Sequence, residues 1–399
     1  MYNVVIIGGG IVGLASALKI KEANPRYRVA VVEKEKAIAQ HQTGHNSGVI
    51  HSGLYYKPGS LKAKNCIDGY NQLIRFCEEE GVNYELCGKI VVATSQEEIP
   101  YLDKLTERGR ENGLTNLKEL SSEELKEHEP HVNGVKGLFV PQTGIIDYKE
   151  VAAKYAEKFQ HFGGEIFTDT KVLDFKKNDP LVEVITNKQT LVSRLVVNCT
   201  GLHSDKITKL TGVKPTYRII PFRGEYYQLK TEKEYLVKNL IYPVPDPNFP
   251  FLGVHFTRMI NGGIEAGPNA VLAYKREGYS KTDIHLGELL GSLGYKGFRT
   301  VAKKYWKTGM GEFHRSYSKS AFTKALQNLL PEIEKGDLKK GGAGVRAQAC
   351  DENGGLIDDF LIFEKDQFIN VGNAPSPAAT SSLSIGEHVA QLAIGKLEK

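Results

Sequence analysis

A glycine-rich turn near the start of the chain joins an unbroken apolar segment to a segment with a helical pattern. Residues 4–7 are Val-Val-Ile-Ile, as expected for a parallel strand that is buried on both faces. Gly8, Gly10 and Gly13 then form a G-x-G-x-x-G sequence, after which a helix is predicted. A second apolar strand is predicted over residues 28–32, and an acidic residue follows it. This order of elements predicts the first part of a parallel α/β sheet.

Each part of this unit has a role in binding a dinucleotide. Gly8 permits the tight turn, Gly10 lets a pyrophosphate approach the backbone, and Gly13 lets the helix lie close to the sheet. The N–H groups at the helix N-terminus face the phosphate charge, and the acidic residue can accept hydrogen bonds from ribose hydroxyls. The predicted contacts are Gly8, Gly10, Ile11, Val12, Gly13, Glu33 and Lys34. The unit alone leaves NAD and FAD open, and glycine turns also join strands to helices for purely structural reasons.

A polar, glycine-spaced segment over residues 42–56 follows the second strand, and this length is unusual for a connection without a function. Its hydroxyl, amide and backbone N–H groups are suited to binding a pyrophosphate and the edge of a flavin. The predicted contacts are Gly44, His45, Asn46, Ser47 and Val49. The alternative is an ordinary surface loop with turn residues.

Two later segments also bring small residues to the end of a predicted strand. One apolar strand ends at Thr200-Gly201, and another, over residues 368–373, leads through prolines and small polar residues into a helix. The positive end of that helix would stabilise a reduced flavin, and an extended FAD needs contacts from such distant segments. The predicted contacts are Val172, Thr200, Gly201, Gly344, Arg346, Ala379, Thr380 and Ser381. The alternatives are a plain strand-to-helix turn and a well-capped surface helix.

The composition excludes several classes of protein. With 399 residues the chain exceeds what one hydrophobic core usually organises, so two domains are expected. The net charge of +5 is too small and too evenly spread to predict nucleic-acid binding, and it favours a small anionic substrate. Five cysteines without C-x-x-C spacing predict reduced thiols in a cytoplasmic protein. No signal peptide or membrane-spanning run is predicted, which leaves peripheral contact with the inner face of a membrane open.

Further motifs carry a resemblance that extends along essentially the whole chain. They cover residues 43–53, 56–63, 221–227, 242–247, 253–257, 267–272 and 373–380. The chain resembles the D-amino-acid-oxidase-type, glycine-oxidase-like FAD oxidoreductases, and among them the L-2-hydroxyglutarate oxidases and dehydrogenases. The glycine turn is shared by many flavoproteins, so the resemblance depends on the loop and C-terminal motifs.

The resemblance implies an architecture of mixed α/β and α+β class. It combines a Rossmann-like FAD-binding domain with a second, mainly antiparallel-sheet substrate domain. The FAD-binding domain is expected to be discontinuous, with residues 1–82, 145–212 and 341–399. The substrate domain is expected to comprise residues 83–144 and 213–340.

The implied reaction is the FAD-dependent oxidation of L-2-hydroxyglutarate to 2-oxoglutarate. It requires removal of the hydroxyl proton and transfer of the C2 hydride to flavin N5, and the electrons are expected to pass to oxygen or a quinone. A histidine is the natural base near neutral pH, and His255 and His51 lie in the matching motifs. An FAD-dependent amine or amino-acid oxidase on the same fold is the alternative.

A substrate with two carboxylates also needs cations, and a guanidinium can bind a carboxylate through two hydrogen bonds. Arg346 is expected to act beside the flavin together with the base. Further substrate contacts are expected from Arg223, Arg258, Tyr56 and Tyr226. A structural ion pair is the alternative for each arginine, and no metal site is predicted.

Overall fold

The computed structural model of the protein describes residues 1–246 and 252–398, so the predicted motif at 242–247 and the predicted domain end at residue 399 each extend outside them. The strands in these ranges are β1 Tyr2–Ile7, β2 Val29–Val32, β3 Val49–Ile50, β4 Tyr84–Glu85, β5 Lys89–Ala93, β6 Lys118–Ser121, β7 Lys136–Val140, β8 Gly144–Ile146, β9 Glu165–Phe167, β10 Val172–Asn178, β11 Leu181–Thr186, β12 Thr190–Asn198, β13 Tyr217–Leu229, β14 Leu240–Pro243, β15 His255–Arg258, β16 Ile264–Gly267, β17 Val271–Leu272, β18 Leu338–Asp351, β19 Leu361–Lys365 and β20 Phe368–Asn373. The α-helices are α1 Ile11–Ala23, α2 Leu61–Glu80, α3 Ile99–Glu111, α4 Ser122–His128, α5 Tyr148–His161, α6 Ser204–Leu210, α7 Leu286–Gly294, α8 Lys296–Lys304, α9 Trp306–Tyr317, α10 Lys319–Leu326 and α11 Ser382–Leu397.

β1 lies inside an eight-stranded sheet with the main order β10-β11-β12-β1-β2-β9. Strands β12, β1, β2 and β9 are parallel, and β20 extends this parallel part beside the C-terminal half of β12. The hairpin of β10 and β11 covers the N-terminal half of β12 in antiparallel pairing. The predicted unit of strand, turn, helix and strand is therefore confirmed as β1, α1 and β2.

The turn between β1 and α1 depends on the absence of side chains at two glycines. Gly8 has a φ angle of +109°, in the left-handed region, and a Cβ there would lie 2.6 Å from the carbonyl oxygen of Cys199. A Cβ on Gly13 would overlap the carbonyl oxygen of Gly8, so only glycine lets α1 begin directly against the turn. On another side of α1, a Cβ on Gly386 would lie 2.7 Å from the carbonyl carbon of Ala15, which shows how closely α11 packs there.

A second, nine-stranded sheet is mainly antiparallel and has the main order β17-β13-β16-β15-β14-β5-β7-β6. β18 pairs with the long strand β13, and β14 pairs with β5 in parallel. A core cluster that includes Ile90, Phe256 and Leu330 packs beside this sheet. The two sheets confirm the predicted combination of a Rossmann-like part with a mainly antiparallel part.

The predicted domain boundary at residue 341 lies inside β18. Residues 343–351 of this strand pair with β13 in the second sheet. A boundary at 341 would divide one continuous ladder of hydrogen bonds, so this segment belongs with the substrate-side sheet. The division of the rest of the chain into two domains stays a prediction.

Candidate active site

A cavity of about 1110 Å³ is lined by residues of both large sheets, including Ile7 at the end of β1 and Tyr226 in β13. Its lining contains most of the predicted cofactor contacts, namely Gly8, Gly10, Ile11, Val12, Glu33, Lys34, His45, Asn46, Ser47, Val49, Val172, Thr200, Gly201, Gly344, Arg346 and Ala379. These residues come from segments far apart in sequence. The fold therefore brings them to one space, as an extended dinucleotide requires.

The glycine turn supplies an anion-binding surface to this cavity. Helix α1 begins at Ile11, and its N-cap residue, Gly10, has no side chain to cap the helix. The first turn contains no acidic residue. The N–H of Ile11 donates to Oγ1 of Thr43 at 3.0 Å, which fixes the loop against the helix start. The positive end of the helix dipole fits a pyrophosphate. Thr43 lines the cavity and was absent from the predicted contacts, although it stands next to them in the loop motif.

Glu33 is held in a single orientation at the end of β2. Its carboxylate accepts hydrogen bonds from the backbone N–H of Gly9 at 2.7 Å and of Glu35 at 2.9 Å. The side chain is buried and lines the cavity, so its remaining lone pairs can accept from ribose hydroxyls. This geometry fits the adenosine part of FAD.

Lys34 stands in a cluster of charged groups at the rim of this part of the cavity. Its Nζ contacts Oε1 of Glu35, Oε1 of Glu277 at 2.8 Å and Nε2 of His41 at 2.8 Å. Although burial opposes the charged form, the two carboxylates raise the pKa of Lys34. Donor atoms of Glu35, His41 and Glu277 lie within 4.8 Å of one another, but the lysine already supplies the positive charge among them. We therefore assign this cluster to charge pairing rather than to a metal.

Four of the predicted cofactor contacts lie behind the lining, because each is used to pack one backbone segment against another. They are Gly13, Gly44, Thr380 and Ser381. A Cβ on Gly44 would overlap the carbonyl oxygen of Ala39. Thr380 accepts the backbone N–H of His51 on Oγ1 at 3.1 Å and hydrogen-bonds the Tyr148 hydroxyl at 2.7 Å. These residues therefore shape the cavity without facing it.

The C-terminal segment offers backbone N–H groups at the start of a helix to a flavin. Helix α11 begins at Ser382 with no side-chain cap, and the Oγ of Ser381 is buried without a hydrogen-bond partner among the described residues. Ala379 brings this segment to the cavity. Free N–H groups and a helix N-terminus at this position would favour the negative charge of a reduced flavin.

Another part of the cavity contains His51, His255, Arg346, Tyr226 and Tyr242, which we call the histidine cluster. Burial lowers the pKa of His51 and of His255 to about 3, and the nearby positive charges of Arg346 and Lys89 act in the same direction. Both imidazoles are therefore neutral at physiological pH, which is the form that can accept a proton.

His255 has a defined tautomer in this cluster. Its Nδ1 is 2.8 Å from the carbonyl oxygen of Gly253, which can only accept, so Nδ1 carries the hydrogen and Nε2 has a free lone pair. The imidazole packs against the ring of Tyr242 at a centroid distance of 4.0 Å. His51 differs, because its Nε2 is 3.4 Å from Oγ of Ser376 in the C-terminal segment.

The predicted substrate contacts divide into two groups. Tyr56 and Tyr226 line the cavity with Arg346, whereas Arg223 and Arg258 do not. Arg223 forms an ion pair with Glu225 at 2.9 Å, and Arg258 forms one with Glu85 at 2.6 Å.

The predictions for Arg223 and Arg258 are therefore corrected to structural ion pairs. Side chains alternate along a strand, and Gly224 and Tyr226 face the cavity in β13, so Arg223 points to the other face. The same alternation separates Arg258 from His255 in β15. This period of two was available from the sequence and could have excluded both arginines.

Sequence reasoning missed three cavity residues in this part, namely Tyr242 within the histidine cluster and Tyr55 and Lys62 beside it. Lys62 Nζ pairs with Asp358 at 2.7 Å. All three stand within or beside motifs that carried the family resemblance, so motif membership was the signal that could have found them.

Comparisons with known proteins agree with this geometry. The model of the family described as FAD dependent oxidoreductase (DAO) matches residues 3–392. The chain is 60% identical over 394 residues to L-2-hydroxyglutarate dehydrogenase of Indibacter alkaliphilus, which covers 98% of this chain and 99% of that relative. It is 45% identical over 407 residues to the mitochondrial L-2-hydroxyglutarate dehydrogenase of Homo sapiens, which covers 98% of this chain and 88% of that relative.

Solved structures show the same fold. L-alpha-glycerophosphate oxidase from Mycoplasma pneumoniae, with FAD bound, has a TM-score of 0.80 and 24% identity, covering 100% of this chain and 95% of its own. Glycine oxidase from Bacillus cereus has a TM-score of 0.72 and 18% identity, and the match covers 99% of this chain and 96% of the oxidase. The glycine turn, the fixed Glu33 and the match along nearly the whole chain lead to one conclusion, which confirms the predicted family and cofactor: this protein belongs to the FAD-dependent oxidoreductases of the D-amino-acid-oxidase family.

Proposed function

We propose that the protein oxidises L-2-hydroxyglutarate to 2-oxoglutarate with FAD as its cofactor. Relatives at 45–60% identity support this substrate, because their names include it and the matches cover nearly the whole chain. The observation that carries the proposal is the histidine cluster, where two neutral imidazoles and a guanidinium face one space. A base and a carboxylate anchor are what the oxidation of a 2-hydroxy acid requires.

The reaction removes the hydroxyl proton and the C2 hydrogen of the substrate. Bound FAD supplies the acceptor for the C2 hydride and its two electrons. We assign the hydroxyl proton to Nε2 of His255, which has the free lone pair. Arg346 would hold the carboxylate next to C2, with the hydroxyls of Tyr56 and Tyr226 as further donors.

His51 is the alternative base, and its surroundings favour a different role. Its backbone N–H donates to Thr380, and its ring lies beside Ser376, so it belongs to the contact between the loop and the C-terminal segment. His255 stands on a strand of the substrate-side sheet. We therefore place His51 beside the cofactor and His255 on the substrate.

The substrate assignment predicts an enantiomer-specific reaction of the flavin. Anaerobic mixing with L-2-hydroxyglutarate should bleach the flavin absorbance and yield 2-oxoglutarate. The D enantiomer should leave the flavin oxidised, because with its carboxylate and hydroxyl held in place its C2 hydrogen points away. Bleaching by glycine or sarcosine, and not by L-2-hydroxyglutarate, would instead establish the amine-oxidase alternative.

The assignment of the base predicts unequal effects of two histidine substitutions. His255→Ala should lower the limiting rate of flavin reduction by about a hundred- to ten-thousand-fold, because a general base is lost, while FAD stays bound. His51→Ala is the matched control, since it also removes a neutral imidazole from the cluster. Stopped-flow reduction at saturating substrate measures both rates. If His51→Ala is the slow variant and retains its FAD, the two roles are reversed.

We further propose that the protein attaches peripherally to an anionic membrane. The contact would be the outer surface of α7, α8 and α9, which we call the helical surface. The inner faces of these helices pack on one core cluster, with Leu289, Phe298 and Phe313 placed around Ile220 and Leu272. Oxygen and a quinone are the candidate electron acceptors, and membrane attachment would bring a quinone within reach.

The helical surface exposes large apolar side chains that a bilayer could cover. Leu286, Leu290 and Leu293 repeat at helical spacing on α7, and they are 69%, 66% and 45% exposed. On α9, the side chains of Trp306 and Met310 are 59% and 63% exposed. Among the described residues no helix is long and apolar enough to cross a bilayer, so this contact would be interfacial.

Positive charge is concentrated on the same surface. Residues 286–317, which contain the three helices, have six lysines and arginines against two acidic residues, and this excess is most of the formal net charge of +5 of the whole chain. The charge is thus not evenly spread, contrary to the sequence-based expectation. Lys307 lies 5.8 Å from the ring centre of the exposed Trp306, a pairing suited to an anionic interface.

Membrane attachment predicts sedimentation of the protein with vesicles of phosphatidylglycerol and phosphatidylcholine at low salt. The double variant Leu290→Ser/Met310→Ser should stay in the supernatant, whereas Leu173→Ser, a change at an exposed leucine in β10, should sediment like the wild type. Equal sedimentation of all three proteins would contradict the proposal. A double variant with half the wild-type mass in solution would instead identify the surface as an interface between copies of the chain.

A further inference from the structure

Lys89 is a buried lysine that the proposed reaction leaves without a role. It begins strand β5, and its side chain is only 2% exposed. Among the residues that the structure describes, no carboxylate oxygen lies within 4.0 Å of its Nζ. The ammonium instead donates to the Tyr55 hydroxyl at 3.3 Å and lies 4.4 Å and 4.9 Å from the ring centres of Tyr55 and Tyr242.

An ammonium buried in this way is energetically unfavourable, because fully buried lysines are nearly always paired with an anion. Burial lowers the pKa of Lys89 to about 7, and the thiol of Cys66 is the one group that acts in the opposite direction. Burial raises the pKa of that thiol to about 12, so it is neutral and supplies no counter-charge. The two tyrosine rings offset part of the cost through cation–π contacts.

Lys89 stands directly behind the histidine cluster. Tyr55 and Tyr242, which it contacts, both line the cavity, and the Tyr242 ring packs on the imidazole of His255. The positive charge of Lys89 also helps to lower the pKa of His51 and of His255, which places it near both imidazoles. Lys62, the other lysine at this part of the cavity, is already paired with Asp358.

We propose that Lys89 is a positioning residue that provides the counter-charge for the second carboxylate of the substrate. It would act through the hydroxyl of Tyr55, to which it donates, and it would give the site its preference for a dicarboxylate over a monocarboxylate. The inference rests on the proposed function, since that substrate carries two carboxylates. Arg346 would hold the carboxylate beside C2, so Arg346 would act on one end of the substrate and Lys89 on the other.

The test compares Lys89→Met, which keeps the length of the side chain, with Lys89→Arg, which keeps its charge. Stopped-flow flavin reduction gives the dissociation constant and the limiting rate for L-2-hydroxyglutarate and for L-2-hydroxypentanoate, which has the same chain without the second carboxylate. Lys89→Met should weaken L-2-hydroxyglutarate binding by about 10- to 100-fold, as for the loss of a charge-assisted contact. Its limiting rate and its binding of L-2-hydroxypentanoate should stay within about twofold, and Lys89→Arg should restore most of the affinity.

Other outcomes overturn the inference. Equal weakening of both substrates would show that Lys89 only supports the structure, and a loss confined to the limiting rate would place it in the chemical step. Tyr55→Phe, which keeps the ring and removes the hydroxyl, should also weaken the dicarboxylate selectively, and unchanged binding would exclude action through that hydroxyl. A wild-type protein that L-2-hydroxyglutarate does not reduce would overturn the proposed function together with this inference. Normal wild-type reduction with unchanged binding in Lys89→Met would overturn the inference alone.

Discussion

The close packing of α1 against the turn that follows β1 is the contact on which the rest of the cofactor site depends. No side chain fits at Gly13 or at Gly8, so the start of the helix, the end of β1 and the end of β12 meet through backbone atoms. This contact directs the N-terminus of α1 into the cavity and leaves Glu33 beside it at the end of the next strand. The backbone dipoles and the one fixed carboxylate at this place fit a pyrophosphate and a ribose.

Exclusion of water shapes the chemistry at the histidine cluster. Buried imidazoles near cations stay neutral, so His255 is available as a base. The carbonyl group of Gly253, rather than a carboxylate, orients its ring. The same burial makes an uncompensated cation costly, and the anionic substrate would relieve that cost when it binds. A dianion would therefore fit this site, in agreement with the substrate that the relatives' names give.

Local spacing in the sequence was sufficient to predict the first strand, the glycine turn, the helix and Glu33, because adjacent residues determine all of them. It also identified the loop and C-terminal segments that reach the cavity, but not that Gly44, Thr380 and Ser381 lie behind the lining. Arg223 and Arg258 lie outside the cavity lining, as the alternation of side chains along β13 and β15 indicates, and the pairing of Arg258 with Glu85 depends on a contact distant in sequence. Lys89 could not be found from the sequence, since only the pairing of β14 with β5 brings it to Tyr242.

The pH dependence of flavin reduction depends on whether a neutral histidine faces the dianionic substrate. The second-order rate constant at low L-2-hydroxyglutarate reports ionisations of the free enzyme. Because the pKa of His255 is lowered to about 3, its basic form is fully present well above that value. We predict a rate constant that changes by less than about twofold between about pH 6.5 and about pH 5.5. A fall of about fivefold over that range, as for a histidine with its ordinary pKa, would show that burial does not keep the catalytic imidazole neutral.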